Sequence, residues 1–304
     1  MSLKRPMKAP TDPIKDDELK NIQYPIVGSP KLDGFRCIID EQGALTSSMK
    51  PFTNRFVAET LKNPYFVGLD GEIVVGAPHK TDENDDVFHR TSGPIRRFDG
   101  EPDFKLFVFD NWKGGDFSYK ERWIDSTNLL QKNPRIIVLE QRILKTTDEV
   151  IAYEQEMVEL GYEGAMIRSL DGTYKEGRCT FREMNIFKRK PFEECEAVII
   201  GVEEQMANLN EKVTNEMGLS KRSSCQINKV PKNTLGMFVL QSDLWEKEFK
   251  AGTGHGFDDK KKKEIWDNKE VYIGQIVTVK YQKYGSIDKP RMPKVIKIRP
   301  SWDL

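Results

Sequence analysis

Lys31 stands in the stretch SPKLDGFRCIID, just after a proline and just before an Asp-Gly, with Asp33 two residues on and Arg36 five residues on. Lysines ordinarily occupy solvated faces. A nucleophilic lysine needs its neutral amine, which with a reference pKa of about 10.4 makes up roughly one part in a thousand near pH 7.4. Nearby cations or partial desolvation would lower that pKa and enlarge the reactive fraction. The chain offers such cations: Arg36 in the same hexapeptide, and Lys188 and Lys190 in FKRKP, whose i, i+2 spacing puts both on one face of a strand. The same groups would cradle the phosphates of a nucleotide. Bound phosphates call for a divalent metal, and the metal calls for carboxylates. Glu72 in LDGEIV and Glu163 in YEGAMIR each abut a glycine and flank a strand-like run, the setting of an acid at the rim of a sheet. Taken singly, each is the kind of acid that also serves in an ordinary turn. FKLFVFD sets Phe107 and Phe109 on one face, where core packing is the usual role and stacking on a purine the alternative.

The elements that would hold these residues are mostly short strands. FRCIID, GEIVVG, FKLFVFD, GAMIRS, AVIIGV, LGMFVLQ and YIGQIVTVKYQ have alternating or apolar strand patterns. Helical spacing is confined to residues 54–62, to 148–160 with Gly161 as a C′ stop, and to 258–266 with an aspartate N-cap. Without regular βαβ alternation, the pattern predicts an α+β fold built on antiparallel sheets. Pro191 and the acids Glu193, Glu194 and Glu196 interrupt two strand-like runs, which sets domains at residues 1–191 and 192–304, the second the size of a small β-barrel. Within it, residues 203–233 form a long polar insertion, of a length that is usually either disordered or functional.

Composition excludes several classes. The 304 residues are 38% hydrophobic and 32% charged, and no run approaches the length of a membrane span. The first 20 residues lack the apolar core of a signal peptide and read as a tethered, partly ordered arm. The formal net charge of zero argues against a wholly basic binder, yet Val271–Leu304 carries seven cations against two anions, a footprint for a polyanion or a solvated strand face. The four cysteines lack C-x-x-C spacing and the three histidines are scattered, which disfavours a zinc site and fits a reducing cytosol.

KLDGFR, LDGEIV, FVFD, EGAMIR and FKRK occur in the order of the motifs of covalent nucleotidyltransferases: K-x-D-G-x-R, D-G-E, an aromatic strand ending in FD, E-G-x-x-x-K/R and K-x-K. From average residue usage, the four fixed letters of the first motif alone should arise by chance in about one of several hundred chains this long. SKRSSCQINKVPKNTLGMFVL, KAGTGHGF, IGQIVTVKYQK and RMPKVIKIRP resemble the second domain of compact ATP-dependent DNA ligases, especially those of bacteriophages. The resemblance spans residues 22–302 and implies a nucleotidyltransferase (adenylation) domain followed by a C-terminal OB-fold barrel.

It also implies roles. Lys31 would form the lysyl-AMP phosphoramidate and expel pyrophosphate. Arg36 would lie near the nucleotide's sugar and phosphates, and Glu72 would contact the ribose. Phe107, or else Phe109, would stack on adenine. Glu163 would bind the metal, with Glu72 as a second carboxylate. Lys188 and Lys190 would hold the α-phosphate, and Arg291 and Lys294 would orient the pyrophosphate. Relatives often have Ser-Arg where this chain has Ser47-Ser48, and Arg55 is the candidate replacement for that cation. Arg168 ends the fourth motif where many relatives have lysine. The implied cofactors are ATP and Mg²⁺ or Mn²⁺. The implied partner is nicked duplex DNA, held mainly through its phosphates, with Arg55, Lys221, Arg222 and Lys283 as contacts and the helix at 258–266 as a weaker candidate. A cytoplasmic monomer is expected. The rival readings are an RNA ligase or a capping guanylyltransferase of the same superfamily, and a non-catalytic nucleic-acid-binding protein. The KAGTGHGF and RMPKV segments oppose the first two, and the intact charged set opposes the last.

Overall fold

The computed structural model describes residues 3–123, 133–216, 218–254, 256–282 and 285–299. The chain divides into two units, Met1–Lys190 and Pro191–Leu304. In the first, β2 (Phe35–Asp40), β3 (Gly43–Thr46), β4 (Leu69–Val75), β5 (Phe104–Asn111) and β6 (Ile136–Val138) form a sheet in the order β3-β2-β4-β5-β6. A second sheet, β7-β1-β8-β9, comprises β1 (Ile26–Pro30), β7 (Arg142–Leu144), β8 (Ala165–Ser169) and β9 (Ile186–Arg189). Every pairing within the two is antiparallel except β5 with β6.

Strand alternation decides what each sheet buries. In the first sheet Cys37, Ile39, Leu69, Ile73, Phe104, Leu106 and Val108 face one core, joined by Val57 and Leu61 of the helix Arg55–Leu61 and Ile95 of the helix Val87–Arg96. Arg36, Glu72 and Phe107 lie opposite one another across β2, β4 and β5, and so share the other face. In the second sheet Ile26, Ala165, Ile167 and Phe187 pack under the helix Thr147–Glu159, leaving Met166, Arg168 and Lys188 on the far face. The Thr146 hydroxyl caps that helix by accepting from the Glu149 N–H at 3.2 Å, and Gly161 follows its C-cap at φ +86°. The helix Val87–Arg96 has no counterpart in the sequence reading, because it carries a proline, Pro94, near its end and follows an acidic run.

The N-terminal stretch, read as a tethered and partly ordered arm, is tied down by burial and by backbone pairing. Leu3, Met7 and Ile14 are buried. Lys8 donates its N–H to Gly177 O at 2.8 Å and accepts from Cys179 N–H at 2.8 Å.

In the second unit β10 (Glu193–Asn208), β13 (Lys229–Ser242), β14 (Trp245–Thr253), β16 (Arg291–Ile298) and β15 (Ile276–Gln282) pair in that cyclic order as a closed barrel. Cys195, Ala197, Ile199, Phe238, Leu240, Phe249, Val277, Val279 and Val295 fill it, with Ile265 from the helix Asp259–Asp267. The acids read as a break between strands belong to β10 itself. Glu193 accepts from the Tyr281 hydroxyl at 2.8 Å, and Glu196 pairs with Arg299 at 2.6 Å. The polar insertion is also largely strand: it extends β10 to Asn208, begins β13 at Lys229, and holds the ribbon of β11 (Lys212–Thr214) and β12 (Ser220–Arg222) between them. Ladder hydrogen bonds need no apolar face, so a ribbon polar on both sides gives no alternation to read.

Among the described residues, no helix is long and apolar enough to cross a membrane.

Candidate active site

Lys31 follows the end of β1, and the β1–β8 ladder continues one step beyond Pro30 to fix it. Its N–H donates to Gly164 O at 2.9 Å, and Glu163 N–H donates to Lys31 O at 3.2 Å. Lys31 and Glu163 are therefore neighbours by register. Gly164 makes the approach possible: it sits at φ +143°, and a Cβ there would lie 2.2 Å from the Arg189 carbonyl oxygen. Gly34 has the same function after Lys31, since its Cβ would meet the Ile73 carbonyl oxygen at 2.2 Å. The Asp-Gly and Glu-Gly pairs of the motifs are thus places where one backbone presses on another.

The side chains converge on Glu163. Its buried carboxylate accepts from the Lys31 ammonium and, through Oε1, from Lys190 Nζ at 3.1 Å. In the alternating run at the end of β9, Arg189 turns the opposite way and pairs with Asp16 at 2.8 Å and with Glu154. Burial acts to discharge Lys31, but Glu163, aided by Glu72 and Asp33, outweighs it and holds the ammonium above the usual lysine range. This reverses the expectation of an amine kept neutral by surrounding cations. Those cations act on Lys188 instead: burial first, then Lys190, Lys31 and Arg178, bring it down to about 8. Burial pushes the Glu72 carboxyl up to about 7 against the pull of Arg36 and Lys31.

Arg36 is held by a chain that sequence reading did not connect. Its Nε and Nη2 donate to the two Asp70 oxygens at 2.5 and 2.7 Å, and Nη2 also donates to Met7 O at 3.1 Å. Tyr174 donates its hydroxyl hydrogen to Asp70 at 2.8 Å and accepts from Met7 N–H at 3.1 Å. The Phe109 ring lies under two guanidinium groups, Arg36 at 4.6 Å and Arg168 at 5.1 Å. Phe107, also buried, sits in the row with Arg36 and Glu72.

Arg168 and Arg122 meet on Asp110, a fully buried carboxylate at the end of FVFD. Arg168 donates at 2.6 Å, and Arg122 at 2.8 and 3.3 Å. Asp110 comes from one sheet and Arg168 from the other, so this triad ties the two site-bearing faces together. Asp110→Ala leaves two buried guanidinium groups without their anion. The expected cost is about 3–5 kcal/mol of unfolding free energy, read by denaturant titration; a loss under 1 kcal/mol would show that the triad is not what joins the sheets.

The other sequence candidates stand on further elements of the two units. Arg55 begins its helix, paired with Asp99 at 3.0 Å and stacked at 5.1 Å on Phe98. Lys221 and Arg222 are on β12, Arg222 donating to Asn210 O. Arg291 opens β16, its N–H donating to the Ser286 hydroxyl oxygen at 2.8 Å, and Lys294 lies between Lys280 of β15 and Gly252 of β14. Lys283 falls outside the described residues. Lys261 and Lys263 are paired along their own helix with Glu264 and Asp267. Asp70 and Asp110 had a signal in the sequence, as fixed letters of the second and third motifs. Tyr174, Met7 and Arg122 had none.

Two facing sheets with a half-buried lysine between carboxylates and further lysines, followed in the chain by a small barrel, are the architecture of a nucleotidyltransferase. Residues 6–190 match the family model for the ATP dependent DNA ligase domain, and residues 228–299 match the DNA ligase OB-like domain. The chain belongs to the ATP-dependent DNA ligases. The Chlorella virus DNA ligase-adenylate is similar along 98% of this chain and 100% of its own, at 27% identity and a TM-score of 0.53. A DNA ligase of the Lig E group, described as binding DNA with a minimal scaffold, shares the fold over 91% of this chain and 97% of its own, at 20% identity and a TM-score of 0.63. No curated protein sequence matches the chain. The protein is accordingly an enzyme that uses ATP to join DNA.

Proposed function

We propose that Lys31 is the adenylated residue, and that residues 1–191 and 192–304 act as the adenylation and OB domains of a cytoplasmic, monomeric enzyme sealing nicks in duplex DNA. The observation that supports this best is the lysine–glutamate–lysine group of Lys31, Glu163 and Lys190 at the β1–β8 end. Lys31 Nζ attacks the α-phosphorus of ATP, forming an N–P bond as the bond to the pyrophosphate oxygen breaks and the amine gives up its protons. AMP passes from Lys31 to the 5′-phosphate of the nick, and the 3′-hydroxyl then displaces AMP. Glu163, which accepts the amine's hydrogen bond, is what holds the proton on. When that carboxylate turns away, burial and the neighbouring cations favour the neutral amine.

Lys188 and Lys190 bind the α-phosphate, and Arg36, held by Asp70, orients sugar and phosphates. Glu72 contacts the ribose. Phe107 carries the adenine, Phe109 being already covered by guanidinium groups. Arg291 and Lys294 orient the pyrophosphate, and Arg55, Lys221, Arg222 and Lys283 meet the DNA backbone. Among the described residues no three acidic, histidine or cysteine side chains form a metal cage. The donors fit an ion bound by one or two carboxylates, substrate phosphates and water, as Mg²⁺ commonly is. Glu163 and Glu72 would hold Mg²⁺ or Mn²⁺, which would neutralise charge at the phosphorus under attack.

A duplex carrying one 5′-phosphorylated nick tests this reading. Sealing with ATP and Mg²⁺, and none with GTP, is expected. Label transferred from GTP alone, or sealing confined to nicked RNA, would overturn it in favour of a capping enzyme or an RNA ligase.

A further inference from the structure

We propose that Lys8, delivered by the N-terminal arm to the Ser47–Ser48 turn, binds the 5′-phosphate of the nick. The inference rests on the ligase reading above and adds a residue to it. Lys8 and Arg178 are directly bridged backbone partners, so their side chains rise side by side, and Arg178 Nη1 donates to Ala9 O at 2.7 Å. Lys8 Nζ donates to Ser47 O at 3.2 Å. Among the described residues neither cation has a carboxylate within ion-pair distance, in contrast to Lys31, Lys190, Arg36 and Arg168. Burial, Arg36 and Arg178 all act to discharge Lys8, so the cluster lacks an anion rather than a cation.

The turn that Lys8 reaches brings no cation at positions 47 and 48. Ser48 Oγ is hydrogen-bonded to Thr46 Oγ1 at 3.1 Å, and the turn closes through Met49 N–H to Thr46 O at 2.8 Å. The turn, with Arg36, also lines a cavity of about 310 Å³, which leaves room beside it for an incoming group. The lysines next to Lys31 serve the α-phosphate of ATP in the reading above, whereas Lys8 donates to the Ser47 carbonyl, and the Arg178 charge acts on both Lys8 and Lys188. A second phosphate, that of the DNA end receiving AMP, is the anion such a cluster would take. A lysine from a separate segment thereby supplies a charge that positions 47 and 48 do not carry, beside Lys50, which closes the turn and lines the same cavity.

The test compares the unsubstituted protein with Lys8→Ala, Lys8→Arg and the double variant Lys8→Ala/Ser48→Arg. Each is first loaded as lysyl-AMP and then offered nicks ending in a 5′-phosphate or a 5′-hydroxyl. For Lys8→Ala, lysyl-AMP formation within about threefold of normal is expected. AMP transfer to the nick should fall about 10- to 100-fold, the range of one charge-assisted phosphate contact. The preference for 5′-phosphate over 5′-hydroxyl nicks in binding should shrink by the same factor. Lys8→Arg should keep the preference, and the guanidinium of the double variant should restore at least a third of the lost rate. An unchanged preference with Lys8→Ala would overturn the proposal, even if transfer slowed through a lower melting temperature. A loss confined to lysyl-AMP formation would also overturn it, assigning Lys8 to a phosphate of ATP. Unsubstituted protein that forms lysyl-AMP but seals no nick would mark failure of the ligase reading itself.

Discussion

Lys31→Ala is expected to form no lysyl-AMP and to seal 5′-phosphorylated nicks at least about 10⁴-fold more slowly, the scale of removing a covalent nucleophile. The substitution deletes the attacking atom and leaves in place the ion pair of Glu163 with Lys190. A nick that already carries AMP on its 5′-phosphate needs no attack by the enzyme's amine. Its sealing should stay within about tenfold of normal if the rest of the pocket keeps its shape. The split between the two substrates separates a lost nucleophile from a collapsed site, because collapse would cost both reactions alike. An alanine variant that still took label from ATP would mean that another residue is adenylated.

Glu163 carries the second-largest expected effect, and two consequences of removing it oppose each other. Glu163→Gln takes away the negative charge that keeps the Lys31 ammonium protonated, so the neutral fraction of the amine should rise. On that ground alone lysyl-AMP formation would speed up. The same substitution removes the carboxylate proposed to bind a divalent ion and takes from Lys31 and Lys190 the anion they share, leaving Glu72 and Asp33 to act on Lys31. The loss of charge compensation at the phosphorus should dominate, lowering lysyl-AMP formation and transfer to DNA by about 100- to 1,000-fold. Raising Mg²⁺ should recover only part of the variant's loss. Normal rates for Glu163→Gln in both steps would show that the carboxylate serves only to anchor the two lysines.

Much of this site was legible in one dimension because its parts are short-range. The alternation in FRCIID and FKLFVFD decides which side chains leave the core, and β2, β4 and β5 place Arg36, Glu72 and Phe107 in one row accordingly. The spacing of Lys188 and Lys190 holds for the same reason, with Arg189 sent to the opposite face to meet Glu154 and Asp16. What escaped were contacts made across long sequence separations by residues without a local pattern. Tyr174 closes onto Asp70 and Met7, and nothing around it distinguishes that tyrosine from any other loop aromatic. The arm at residues 3–14 reads as only partly ordered because it has neither period, yet Met7 and Ile14 are buried and its backbone pairs with Gly177 and Cys179. The sign of the Lys31 shift was also out of reach. Counting cations in the motifs misses that one of the carboxylates, Glu163, sits on the amine itself.

The most direct measurement is the location of the adenylyl group. After incubation with ATP and Mg²⁺, proteolysis and mass spectrometry of the denatured protein should find AMP on the peptide containing Lys31, removed when pyrophosphate or a 5′-phosphorylated nick is added before denaturation. AMP on Lys8, Lys188 or Lys190 would contradict the assignment of Lys31 as the nucleophile, and an adduct obtained from GTP in place of ATP would contradict the use of ATP.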